Sequence, residues 1–96
     1  MSIRLVVTIT AAPGKGGELA QAYKTRCEDA SKEPGCEQFE IFQSVANPDR
    51  LALLERWADK AALDVHARLN SIRPPLRPEL RAGSGEREDY EYNRTR

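Results

Sequence analysis

Residues 51 to 66 read Leu-Ala-Leu-Leu-Glu-Arg-Trp-Ala-Asp-Lys-Ala-Ala-Leu-Asp-Val-His, and the reading of this run decides the fold. Leu51 to Trp57 is an apolar strand. Side chains alternate along a strand, so Glu55 and Trp57 point to the same face. With Asp59 as the cap, a helix follows from Lys60, and His66 comes two turns later on a stripe shared with Ala62 and Leu69. One corner thus gathers a carboxylate, an indole and the only histidine of the chain. Such a corner marks a site without identifying a reaction.

Working outward, Asn47-Pro48-Asp49-Arg50 is turn chemistry. Before it, Cys36 to Val45 is a strand with Phe39 and Ile41 on one face and Phe42 on the other. So short a connection makes the two strands antiparallel neighbours. Pro34-Gly35 closes a helix of about Gly17 to Lys32, in which Leu19, Ala22, Tyr23, Arg26, Cys27 and Ala30 keep helical spacing. The preceding run Ala12-Pro13-Gly14-Lys15-Gly16-Gly17 lacks the Lys-Ser/Thr ending of a phosphate loop and the spacing of a dinucleotide fingerprint. It reads as the entry to the helix. Ile3 to Thr10 alternates as the first strand, with Ile3, Leu5, Val7 and Ile9 on one face.

Downstream, the second helix is expected to end near Leu69. Pro74, Pro75 and Pro78 break regular structure between Ile72 and Ala82 and leave room for one turn. Arg73, Arg77 and Arg81 make this arm locally positive, and it reads as a solvated loop, with an anion-binding rim as the minority reading. Gly83-Ser84-Gly85 is a hinge, Glu86 to Asn93 alternates as an edge strand, and Arg94 to Arg96 is a tail that frays.

The order βαββαβ is the ferredoxin-like split βαβ arrangement, an α+β fold with a four-stranded antiparallel sheet. Right-handed crossovers put the first and third strands in the centre and both helices on one face. The central strands carry apolar residues on their other side too, with Val6 beside Leu5, Leu54 beside Leu53 and Phe42 beside Ile41. That predicts a homodimer through the helix-free sheet face.

A chain of 96 residues makes one small domain, residues 1 to 96, that gains from a second subunit. Fifteen basic residues balance fifteen acidic ones, which gives no overall field to attract nucleic acid or an anionic membrane. No apolar run spans a bilayer and the N-terminus has no signal pattern, so a cytoplasmic protein is expected. Cys27 and Cys36 fit no metal-ligand spacing and read as reduced, packed thiols. No metal, haem or flavin is expected.

Pro34-Gly35-Cys36, Phe39-Glu40-Ile41-Phe42-Gln43, Leu53-Leu54-Glu55-Arg56-Trp57, Ala62-Leu63 and His66 together resemble the antibiotic biosynthesis monooxygenase family, the dimeric α/β-barrel proteins related to quinol monooxygenases. The resemblance covers residues 3 to about 70 and fades in the arginine- and proline-rich arm. It implies a homodimeric barrel, with oxidation of electron-rich aromatics by molecular oxygen and no cofactor. Haem-degrading relatives depend on an asparagine near the position of Val7, a tryptophan at that of His66 and a histidine near Leu76. None of these matches.

On that reading His66 is the proton acceptor and Glu55 its partner, while Trp57, Tyr23, Phe39 and Val7 wall a small aromatic substrate. The plainer reading makes Trp57 core and His66 a satisfied core or boundary residue. A non-catalytic binding barrel stays open, as does an isomerase of a small anionic carbonyl compound gripped by Arg73 and Arg77.

Overall fold

The computed structural model describes residues 1–95; the expected fraying of Arg96 lies outside them. The elements are β1 (Ile3–Thr10), α1 (Gly16–Ser31), β2 (Cys36–Gln43), β3 (Arg50–Trp57), α2 (Lys60–Ile72), a 3-10 turn (Pro78–Leu80) and β4 (Glu86–Glu91). The sheet order is β2-β3-β1-β4, antiparallel throughout. The ferredoxin-like α+β fold is therefore the observed one, with β1 and β3 central. No helix among the described residues is long and apolar enough to cross a membrane.

Register explains where the core sits. Leu5 pairs with Glu55, Val7 with Leu53 and Ile9 with Leu51 on one side, while Phe39 and Ile41 pair with Glu55 and Leu53 on the other. Directly paired residues share a face, so these side chains form one surface. Leu19 and Tyr23 of α1 and Leu63 and His66 of α2 are buried over it. Along β3, Leu51, Leu53, Glu55 and Trp57 are buried, and Ala52, Leu54 and Arg56 between them are only half-buried. Glu55 is a carboxylate set in the middle of the apolar face.

Two glycines place the neighbouring loops. A Cβ on Gly16 would lie 1.8 Å from the Pro48 carbonyl oxygen, so α1 starts tight against the β2–β3 turn. There the Asp49 carboxylate accepts from the Gly14 and Gly16 N–H groups, both at 2.9 Å. The anion that the glycine-rich run receives is the chain's own. Gly35, at φ +79°, would drive a Cβ to 2.5 Å from that of Ala62. Only glycine fits that approach, which seats the α1–β2 turn on α2.

The boundaries differ from the sequence reading in four places. α2 continues one turn past Leu69 and stops at Ile72, because Arg73 precedes Pro74 and is forced into an extended conformation (φ −77°, ψ 148°). β2 ends at Gln43, short of the fully exposed Val45. β4 ends at Glu91, where its pairing with Ile3 runs out. The arm is not simply a solvated loop. Leu80 is buried, Leu76 packs on the core, and Ala12 N–H donates to the Leu80 carbonyl at 2.7 Å.

Candidate functional site

The strand-to-helix corner forms as its residue types dictate. Asp59 caps α2 by accepting from Ala62 N–H at 2.8 Å, which fixes the helix phase and turns His66 inward. Trp57 ends β3 fully buried and donates its indole N–H to Glu55 Oε1 at 2.9 Å. The His66 ring packs on Trp57 with centroids 4.5 Å apart and on Phe39 at 5.5 Å. His66 is thus buried against two aromatic faces, and only its ring nitrogens have polar neighbours.

Those neighbours come from opposite sides. His66 Nδ1 is 2.9 Å from Glu33 Oε1, and Nε2 is 3.9 Å from Glu55 Oε1. The hydrogen-bonded carboxylate is therefore Glu33, from the α1–β2 turn. Glu55, the partner expected from sequence, stands beyond hydrogen-bond range. Glu33 Oε2 is in turn 2.7 Å from Arg73 Nη2. That is ion-pair distance without hydrogen-bond alignment, and neither Glu33 Oε2 nor Arg73 Nη1 has an aligned partner.

A cavity of about 770 Å³ lies between α2 and the β3-β1-β4 side of the sheet. Ile3, Leu5, Val7, Leu53 and Leu63 give it an apolar wall, Glu55 and His66 its acid–base end, and Lys60, Asp64, Arg87 and Asp89 its charged wall. The structure brings His66, Glu55 and Val7 to this cavity. Trp57, Phe39 and Tyr23 are not among its lining residues. Trp57 and Phe39 stand behind the imidazole, and Tyr23 is buried in the core.

Burial raises the Glu55 carboxyl above the usual carboxylate range, against the lowering pull of the Trp57 N–H and of His66. Burial also raises the Tyr23 hydroxyl and the Cys27 thiol. The Cys36 thiol is pushed up to about 11 by burial and by the neighbouring Glu33 carboxylate. Both cysteines are free and stay protonated near neutrality, which makes them poor nucleophiles.

Glu33 is the His66 partner that the sequence did not reveal. It lies in a turn sequence, Lys32-Glu33-Pro34-Gly35, where an acidic residue normally faces water. The pairing to His66 crosses thirty-three positions, and no local periodicity reports such a contact. Arg73 and Arg77, which the minority reading places in an anion-binding rim, meet carboxylates of the chain itself. Arg77 Nη2 is 2.8 Å from Glu18 and its Nε 3.2 Å from Glu79.

The family model described as antibiotic biosynthesis monooxygenase matches residues 2–73. Among solved structures, a conserved protein from Methanosarcina mazei Go1 is 31% identical over 97% of this chain and 94% of its own, with a TM-score of 0.83. A Pseudomonas aeruginosa protein is 25% identical over 97% and 95%, with a TM-score of 0.80. An antibiotic biosynthesis monooxygenase covers 96% of this chain and 99% of its own with a TM-score of 0.75, and at 20% identity it speaks for the fold alone. No curated protein matches the sequence.

Proposed function

Because the chain belongs to the antibiotic biosynthesis monooxygenase family, we propose that the His66 cavity is the active site of a cofactor-independent monooxygenase. Its substrate is a small electron-rich aromatic, a hydroquinone or polyketide-like phenol, and its oxidant is molecular oxygen. The carrying observation is a buried imidazole whose Nδ1 is 2.9 Å from Glu33, and which lines one cavity with a second carboxylate, Glu55, 3.9 Å from its Nε2.

The chemistry follows from those groups. His66 Nε2 takes the proton of a ring hydroxyl, and Glu55 holds a second substrate oxygen. The phenolate then gives an electron to oxygen. Recombination forms a carbon–oxygen bond and, after proton transfer, a ring hydroperoxide. Loss of water breaks the oxygen–oxygen bond and leaves a new carbonyl. A hydroquinone plus dioxygen thus becomes a hydroxyquinone plus water, with the substrate supplying every electron. The apolar wall keeps water from the reacting anion.

The arginines of the arm favour no isomerase of a small anion, since Arg73 and Arg77 already face carboxylates. An oxygen electrode tests the oxygenase reading. Hydroquinone-dependent uptake should fall about a hundredfold to ten-thousandfold in His66→Ala. Equal rates in parent and variant would remove His66 from the mechanism, and no uptake by the parent across a quinol panel would favour a binding barrel.

The assembly we propose is a homodimer through the helix-free sheet face, closing a dimeric α/β barrel. There Val6 pairs with Leu54 and Ala52 with Phe42, and Phe42 is 46% exposed. A stable monomer in sedimentation at micromolar concentration would rule this out.

A further inference from the structure

We propose that Glu33 and Arg73 are positioning residues for His66. Arg73 fixes the Glu33 carboxylate, and Glu33 fixes the imidazole with its proton on Nδ1 and its lone pair on Nε2, turned toward Glu55 and the cavity. The inference deepens the oxygenase reading of His66 and rests on it.

The hydrogen-bond inventory carries the first step. A carboxylate beside a guanidinium acts as an acceptor, so with Arg73 at its other oxygen the proposal makes Glu33 Oε1 the acceptor and Nδ1 the donor across their 2.9 Å contact. The neutral ring then has its acceptor on Nε2, the nitrogen nearer Glu55. A base that must take a proton from a substrate in the cavity needs that tautomer, because the other would present an N–H there.

Three parts of the chain are set so that this contact exists. Gly35 allows the Glu33 turn to press on α2. Pro74 ends α2 at Arg73 and sends the arginine toward Glu33. Arg26 of α1 then holds the arm, donating to Asn70 Oδ1 at 3.2 Å and to the Pro74 carbonyl at 2.9 Å. As a purely structural device the arrangement is poor. Glu33 Oε2 and Arg73 Nη1 are buried without aligned hydrogen bonds, and apolar residues often serve a core as well as a buried ion pair does.

Of the other charges near the cavity, four form two pairs, and Glu91 of β4 lines it as well. Lys60 and Asp64 of α2 pair at 2.6 Å, and Arg87 and Asp89 of β4 pair at 2.6 Å. Burial raises the Glu55 carboxyl of β3 above the usual carboxylate range. Among the described residues, Glu33 with its Arg73 partner is the charge in direct contact with the ring.

The chain has one histidine and one tryptophan, and the two rings touch. Imidazole nitrogen NMR of that histidine reads the tautomer of the parent without any substitution. The expected parent spectrum is the Nδ1–H form. In Glu33→Gln the spectrum should show both tautomers, because an amide can accept from Nδ1 or donate to it. Its kcat with a hydroquinone should fall about ten- to a hundredfold with KM within about twofold. Arg73→Lys should retain more activity than Arg73→Met.

An Nε2–H parent, or a folded Glu33→Gln that keeps the Nδ1–H form alone and the parent's kcat, would overturn the proposal. A variant that fails to fold leaves the tautomer result to decide. If the tautomers behave as expected but the parent consumes no oxygen, the failure lies with the proposed reaction and not with the positioning of His66.

Discussion

The corner from Glu55 to His66 and the segment from Arg73 to Leu80 serve the same core by opposite routes. The corner is built from neighbours in sequence. Strand period, cap and helical spacing put a carboxylate, an indole and an imidazole within one turn of chain, and each is buried. The arm is built from distant partners. Arg73 finds Glu33, Arg77 finds Glu18, and Leu80 closes on β1. Chemistry assembled locally is held by packing, whereas chemistry assembled at long range is held by charge pairs together with the Leu76 and Leu80 contacts of a proline-stiffened strap.

The largest effect should come from breaking the corner. Trp57 is fully buried and touches both His66 and Phe39. Trp57→Ala leaves a cavity behind His66 and deprives Glu55 of its donor. We expect a loss of about 3–5 kcal/mol in chemical denaturation, against about 5–15 kcal/mol for a whole domain. A loss below about 1 kcal/mol would mean that the corner is not held by packing.

That difference also explains how much was legible. The element order, the central strands, the Asp59 cap and the inward His66 follow from local signals, because period and capping act within a few residues. The wall of the cavity was legible only at Val7, Glu55 and His66. Trp57, Phe39 and Tyr23 are aromatic and apolar, and sequence alone does not separate a residue that lines a cavity from one that packs behind it. Glu33 was hidden because its burial depends on Gly35 meeting Ala62, a tertiary contact. The arm was read as solvated because prolines and arginines usually are, yet Leu76 and Leu80 anchor it.

An intermediate effect should come from Glu55, the charged residue of the corner. Its folded pKa is raised, chiefly by burial, so the folded state holds the proton more tightly than the unfolded chain does. The stability it contributes is full below the ordinary glutamate value and is lost as pH rises through the folded value. Glu55→Gln keeps an oxygen to accept the Trp57 N–H and has no charge to bury. Its melting temperature should exceed the parent's by roughly a few degrees at pH 7 to 8. The gap should close on acidification below the ordinary glutamate value. A variant less stable at neutral pH would show that the charge is compensated by partners such as His66.

The smallest effect should come from the outer end of the arm, where charge pairing meets open solvent. Arg77 is half-exposed and contacts Glu18 and Glu79, whose carboxyl is lowered mainly by backbone hydrogen bonding and then by Arg77 itself. It also sits at φ 39°, the one non-glycine residue with positive φ among the described residues. A left-handed conformation disfavours a long side chain and is tolerated by asparagine. Exposed ion pairs are screened and contribute little. Arg77→Asn therefore trades two weak pairs for relief of backbone strain, and its melting temperature should stay within roughly two degrees of the parent's. The same scan in high salt separates the two contributions, because salt weakens the parent's pairs and leaves the backbone term unchanged. A large drop for Arg77→Asn at low salt would mean that the arm is strapped from its exposed end, and not through the half-buried Arg73 and Leu76 and the buried Leu80.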